Sequence, residues 1–264
     1  MKIGIVGAGN MASALAGGLL KSGKINPKAL SISDKNASNL EKWSTFGVFV
    51  SESNIEVISR SDVIIFAVKP NILPSVLEEA KAVSGDKLFV SIAAGTTIES
   101  IEKILGDDVK IVRAMPNTPA KVGCGMTVIF PNKNIQKAEL EIAEDVFSAV
   151  GEVVILEEKH INTATALHGS SPAYVYMMID AMADGGVKHG LPKETALRLA
   201  AKAVEGASKM VLETHEHPQT LKDAVCSPGG TTIAAVCELE KSGFSVAVSQ
   251  AVDACIKRAD EMSK

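Results

Sequence analysis

Aromatic side chains are scarce in this 264-residue chain. One Trp, two Tyr and seven Phe make up 4% of it, although 46% of its residues are hydrophobic. The core must therefore be built from Ala, Val, Ile, Leu and Met, a palette that suits parallel strands and closely packed helices. An excess of either charge is also lacking. Lys plus Arg number 27 and Asp plus Glu 31, for a net charge of −4 and a pI near 5.8. That balance gives no electrostatic reason to expect nucleic acid or an anionic membrane as partner. Cysteines are few, and Cys124, Cys226, Cys237 and Cys255 show no C-x-x-C spacing. They read as free thiols in a reducing cytosol. No segment supplies the ~18 uncharged apolar residues of a transmembrane helix, and the first apolar run enters glycines instead of a cleavage site. The expectation is a soluble, cytoplasmic protein.

What is present is an alternation. Strand-like runs at 2–6, 29–33, 48–50, 62–68, 88–93, 109–115, 127–130 and 152–156 are separated by amphipathic pieces at 10–22, 71–84, 97–105 and 134–149. Several strands are apolar on both faces, as strands covered by helices on two sides must be. Alternating β and α over this length predicts a doubly wound α/β sheet over residues 1–160. Past residue 160 the strand pattern stops. A long small-residue-rich helix begins near Ile161, Gly190 and Pro192 mark a stop and a restart, and helices follow at 193–214, 218–225, 231–241 and 245–263. The domain 161–264 is thus expected to be all-α. Helices this apolar bury against something large, either a second copy of the chain or their own sheet domain.

The first residues carry the sharpest motif. "GIVGAGNMASALAGGLL" is a strand, a tight turn and a helix, with Gly7-x-Gly9-x-x-Ala12 in the G-x-G-x-x-G/A form of the dinucleotide fingerprint. Gly7 permits the turn, Gly9 lets the backbone approach a pyrophosphate, and Ala12 keeps helix and strand close. Ala8, Asn10 and Met11 complete a helix N-terminus whose free N–H groups and dipole favour phosphate. At the end of the second strand Asp34 could accept a ribose 2′-hydroxyl, favouring NAD, whereas Ser33, Lys35 and Asn36 could receive a 2′-phosphate, favouring NADP. Both readings stand at this level. Lys69 and Pro70 end the strand "DVIIFAV", where Lys69 either bonds a ligand oxygen or leaves the sheet into solvent. "SIAAG" and "AMPNTPA" end the next two strands, and the small residues there leave room for a nicotinamide ring. Pro116 and Pro119 stiffen the loop around Asn117 into a wall.

A second glycine turn, "SPGGTT" at 227–232, joins two helical stretches. Pro228, Gly229 and Gly230 shape the chain, and Thr231 or Thr232 could cap the helix that follows. The turn is either a plain cap or an anion site with free N–H groups. Phosphates being served already, the anion would be a substrate carboxylate.

These residues carry a resemblance. "GAGNMA", "AVKP", "RAMPNTPA", "GSSPAYVYMMIDAMADGGVKHGLP" and "HPQTLKDAVCSPGGTT", in this order and across essentially the whole chain, resemble pyrroline-5-carboxylate reductases. The resemblance implies an N-terminal Rossmann-type domain followed by an all-α dimerisation domain. It implies reduction of 1-pyrroline-5-carboxylate to L-proline with NADPH or NADH, and a homodimer or a larger assembly such as a decamer. By the same resemblance, cofactor contacts fall on Gly7 to Ala12, Ser33 to Lys35, Asn54, Ala67, Val68, Lys69, Ala93 and Ala94. Ser227, Gly229, Gly230 and Thr231 would grip the substrate carboxylate, and Thr232 would set its hydroxyl near the ring nitrogen. No histidine triad offers a strong acid or base, so catalysis is expected from positioning.

The chain departs from the family pattern at Ser171, where glycine is usual, and at His168, where serine is commoner. It also departs at Asp34-Lys35, which replaces an Asn-Arg-like pair; a lysine pairs with a 2′-phosphate without arginine's bidentate fork. Two other readings compete. A 3-hydroxyacid dehydrogenase would place a catalytic lysine on the first helix of its second domain, but Lys188 lies near the end of that helix. A non-catalytic nucleotide sensor would have no use for SPGGTT. His215 and His217 lack the further ligands that zinc requires.

Overall fold

The computed structural model describes residues 1–262. Eight strands form one sheet: β1 Ile3–Val6, β2 Leu30–Ser33, β3 Phe49–Ser51, β4 Val63–Phe66, β5 Leu88–Ser91, β6 Lys110–Pro116, β7 Gly125–Pro131 and β8 Gly151–Ile155. Their order is β3-β2-β1-β4-β5-β6-β7-β8. The first six are parallel, with Ile3 of β1 facing Leu30 on one side and Val63 on the other. β7 runs antiparallel to β6, with Met115 opposite Val128, and β8 is parallel to β7.

The strands alternate in period two, and both faces are covered. Ile3, Ile5, Val63 and Ile65 join a core with Leu15 and Leu19 of helix α1 (Asn10–Lys21) and Phe147 of α6 (Lys137–Phe147). Val6, Ile64, Phe66 and Phe89 point the other way. They meet Leu73 and Leu77 of α4 (Leu73–Lys81) and Ile101 of α5 (Ile98–Leu105). Few aromatics are needed because they are placed centrally. Phe66, Phe89, Phe130 and Phe147 are all fully buried, and the first two stack at 5.8 Å.

Two short helices, α2 (Glu41–Ser44) and α3 (Asn54–Ser59), complete the sheet side of the chain. After β8 come α7 (Ile161–Ala164) and a π-helical turn Thr165–Ser170. Then follow α8 (Ser171–Lys188), α9 (Lys193–Thr214), α10 (Pro218–Val225), α11 (Thr231–Lys241) and α12 (Phe244–Met262). The long helix expected from Ile161 onward is thus broken at the π turn, just ahead of Pro172. Proline lacks an N–H and forces such a rearrangement of the preceding turn.

The chain forms two compact units. One comprises residues 1–169 with 259–262, and the other comprises 170–258. Within the helical unit α8 and α9 pack on each other. There, Cβ of Ala196 would lie 3.2 Å from a Cβ built at Gly186. Only Ala183, Ala196 and Ala200 are buried in residues 170–258, while Leu199, Met210, Leu212, Leu239 and Val246 are each at least half exposed. Among the described residues no helix is long and apolar enough to cross a membrane.

Candidate active site

β1 delivers the chain to Gly7, whose φ of +100° is open to glycine but strained for any side chain. Its N–H donates to Ser33 O at 2.7 Å, tying the turn to the end of β2. A Cβ here would sit 2.6 Å from Ala67 O, so the turn lies flat on the end of β4. Gly9 is the N-cap of α1 in extended backbone, with no side chain capping the helix. A Cβ on Gly9 would meet nothing within 4 Å. The helix N-terminus, entered through Asn10 and Met11, therefore opens onto clear space, while Ala12 is buried beneath it. That cradle fits the pyrophosphate of a dinucleotide.

The end of β2 differs from a simple ribose hook. Asp34 accepts Ala8 N–H on one carboxylate oxygen at 2.7 Å and Asn36 N–H on the other at 2.8 Å. Its charge thus supports the fingerprint turn itself. Ser33 is buried and donates to Asn54 Oδ1 at 2.9 Å. Asn54, first residue of α3, donates in turn to Glu79 at 2.9 Å. Lys35 reaches Glu52 O at 3.3 Å. Gly7, Asp34, Lys35, Asn54, Val68 and Glu79 line one groove of about 300 Å³, together with Ile72, Ser75 and Val76 of the α4 region. Ile72, Ser75, Val76 and Glu79 are the members that sequence reasoning missed. They sit in the amphipathic stretch 71–84, which marked a helix but not which of its residues face inward.

Along the other strand ends the residues divide. Ala67 N–H donates to Val6 O at 2.8 Å, and Val68 is half-buried. Lys69 and Pro70 are exposed. Ala93 is buried and Ala94 exposed after β5. Asn117 is 8% exposed, and both ends of its amide are engaged: Nδ2 donates to His168 O at 2.9 Å, and Oδ1 accepts Met126 N–H at 2.9 Å. It stiffens the loop after β6 by bonds within the protein. His168 lies alongside, its ring nitrogens 2.5 Å from Ala164 O and 2.8 Å from Met115 O.

In the helical unit, Gly229 takes a φ of +66° and Gly230 N–H bonds back to Ser227 O at 3.0 Å. Gly230 is the N-cap of α11, and no side chain caps it. The expected cap from Thr231 or Thr232 is therefore not formed. Both threonines lie inside the first turn, where the chain has already passed the capping position, and the turn's N–H groups stay available. A Cβ on Gly230 would meet Ser227 Oγ at 2.3 Å, so Ser227 packs directly on the turn. Elsewhere in this unit Cys255 donates to Ser170 Oγ at 3.2 Å, and burial, helped by Cys255, pushes the Tyr174 hydroxyl up from its usual range. His215, at a φ of 56°, ends α9, and His217 accepts Gln219 N–H to cap α10. Both histidines act as helix punctuation.

Comparison with known proteins agrees with this layout. A family model described as pyrroline-5-carboxylate reductase dimerisation matches residues 158–262, and one described as NADP oxidoreductase, coenzyme F420-dependent, matches residues 2–95. The chain is 45% identical to the pyrroline-5-carboxylate reductase of Escherichia coli (strain K12) over 100% of this chain and 98% of that one. Its fold is similar to the solved pyrroline-5-carboxylate reductase of Coxiella burnetii, with a TM-score of 0.95, 36% identity, and 100% and 98% of the two chains covered. The Plasmodium falciparum pyrroline carboxylate reductase, solved with NADP bound, gives 0.87 at 35% identity, with the same coverage. With fingerprint, sheet, helical unit and glycine turn all present in one chain, this protein belongs to the pyrroline-5-carboxylate reductase family.

Proposed function

We propose that this protein reduces 1-pyrroline-5-carboxylate to L-proline, using NADPH or NADH, through the residues that line its two open helix N-termini. The observation that carries the reading is the uncapped start of α11 behind Ser227 and Gly230. With the α1 N-terminus given to the cofactor's pyrophosphate, this second set of free N–H groups serves the substrate carboxylate.

The bound dinucleotide supplies a hydride to the imine carbon. The protein's residues do the rest. Gly7, Ala8, Gly9, Asn10, Met11 and Ala12 hold the pyrophosphate. Ser33, Asp34, Lys35 and Asn54 form the ribose end, where Lys35 meets a 2′-phosphate. Ala67, Val68, Lys69 and Pro70, with Ala93, Ala94 and Asn117, make the bed and wall of the nicotinamide. Ser227, Gly229, Gly230 and Thr231 hold the carboxylate, fixing the distance and angle at which the imine presents its carbon. Thr232 sets its hydroxyl toward the ring nitrogen, where a proton makes the adjacent carbon electrophilic.

The enzyme works as a homodimer through the helical domain 161–264, or as a larger homo-oligomer such as a decamer. The exposed leucines and methionines of α9 and α11 support association. The four free cysteines suit the reducing cytoplasm. The test is cofactor oxidation by the purified protein on addition of 1-pyrroline-5-carboxylate, with proline identified as product. Cofactor binding without turnover of this imine would refute the assignment.

A further inference from the structure

His168 bonds backbone on two separate segments of the chain. It sits in the π-helical turn Thr165–Ser170. Both of its ring nitrogens face backbone carbonyl oxygens, Ala164 O at 2.5 Å and Met115 O at 2.8 Å. A neutral imidazole has one N–H and one lone pair, so it donates to one of these oxygens and turns its lone pair on the other. Only the imidazolium donates to both. Among the described residues the ring bonds these two carbonyls and no charged side chain. Of the charged groups on neighbouring elements, Arg113 of β6 pairs with Glu158 at 2.7 Å, Lys159 with Glu157 at 2.6 Å, and Asp260 of α12 accepts from Asn162 Nδ2 at 2.7 Å. His160, which precedes α7, is the remaining titratable group on this segment.

The same residue grips the end of β6 a second time. Its carbonyl accepts Asn117 Nδ2 at 2.9 Å, and Asn117 in turn fixes Met126 N–H. Ring and backbone together pin Met115 and Asn117 on either side of Pro116.

We propose that His168 is a positioning residue for the reduction: through its ring and its own carbonyl it ties the carboxyl end of β6 to the turn Thr165–Ser170 and fixes the loop that walls the nicotinamide. The proposal rests on the functional reading above for the identity of that wall.

The experiment compares the full-length protein with H168S and H168Q, a melting curve first showing that each variant folds; should H168S fail to fold, H168Q decides. The expected result is a kcat for 1-pyrroline-5-carboxylate about two- to tenfold lower in H168S, the effect of one hydrogen bond, with KM for that substrate little changed and the Asn117 side-chain amide signal displaced in a ¹H–¹⁵N correlation. H168Q, able to donate to one carbonyl only, recovers part of the loss. Variants whose kcat and Asn117 amide match the parent's overturn the proposal. Should the parent turn over no 1-pyrroline-5-carboxylate, the functional reading falls, while the Asn117 amide and the NADPH affinity of the variants still decide the role of His168.

Discussion

A methyl group added at Gly7 and one added at Gly9 have opposite destinations. At Gly7 it enters a left-handed backbone and meets Ala67 O at 2.6 Å. Gly7→Ala is therefore expected to destabilise the fold by about 1–3 kcal/mol from backbone strain alone, with a lower melting temperature as the readout. At Gly9 the methyl points into clear space. Gly9→Ala should cost less than about 1 kcal/mol of stability, an ordinary N-cap change. It should nevertheless weaken NADPH binding at least tenfold, which equilibrium fluorescence titration would show. Equal damage to stability and binding in both variants would contradict the cradle. Asp34 gives another residue-scale test. Because its carboxylate holds the Ala8 and Asn36 N–H groups, Asp34→Ala should weaken NADH and NADPH alike, by about tenfold or more for lost charge-assisted bonds. A variant that loses NADH affinity but gains NADPH affinity would mean that Asp34 selects the cofactor. The fingerprint was legible because glycine's requirement is local to a turn. The Asn117–His168 bond spans 51 positions, and nothing local marks such a pair.

Among the elements, α11 depends on the turn before it. Gly230→Val would push Ser227 off the turn and fill the space before the helix N-terminus. KM for 1-pyrroline-5-carboxylate should rise about tenfold to a hundredfold, as for loss of a bond to a charged group, with KM for NADPH unchanged. Equal rises for both would remove the carboxylate role from this turn. On β6, Lys110 bridges Asp86 and Glu139 at 2.8 Å each. Hydrogen bonds to these two carboxylates push its ammonium up to about 12, and its own bonds hold both carboxyls below their usual range. The stabilisation is present between those limits. It is lost as pH falls through the depressed carboxylate range, and again as pH rises through about 12. Lys110→Met should flatten the acid side of the melting temperature–pH curve; an unchanged curve would show the bridge to be idle.

Strand positions were legible at this scale because fully apolar runs such as 63–68 have no other stable use in an α/β sheet. The reversed direction of β7 was not, since a strand buried on both faces shows the same apolar pattern whichever way it runs. The helices α2 and α3 were missed because a turn or two carries too little periodicity. The π turn at Thr165–Ser170 was hidden inside a helical composition, Pro172 being its one local cue.

At the scale of the molecule, one unit is built on a sheet with both faces covered and the other is a helical unit that buries only three alanines. A chain of 27.6 kDa leaving so many leucines and methionines uncovered is expected to sediment at twice that mass or a higher multiple. A monomer at micromolar concentration would contradict it. The dinucleotide half and the all-helical half were legible from the change of rhythm near residue 160. The central claim is that the two halves together reduce one cyclic imine. It is tested most directly by the initial rate of NADPH oxidation, then of NADH oxidation, when 1-pyrroline-5-carboxylate is added to the purified protein. The account predicts rapid oxidation with L-proline formed mole for mole. Tight cofactor binding with no oxidation would contradict it.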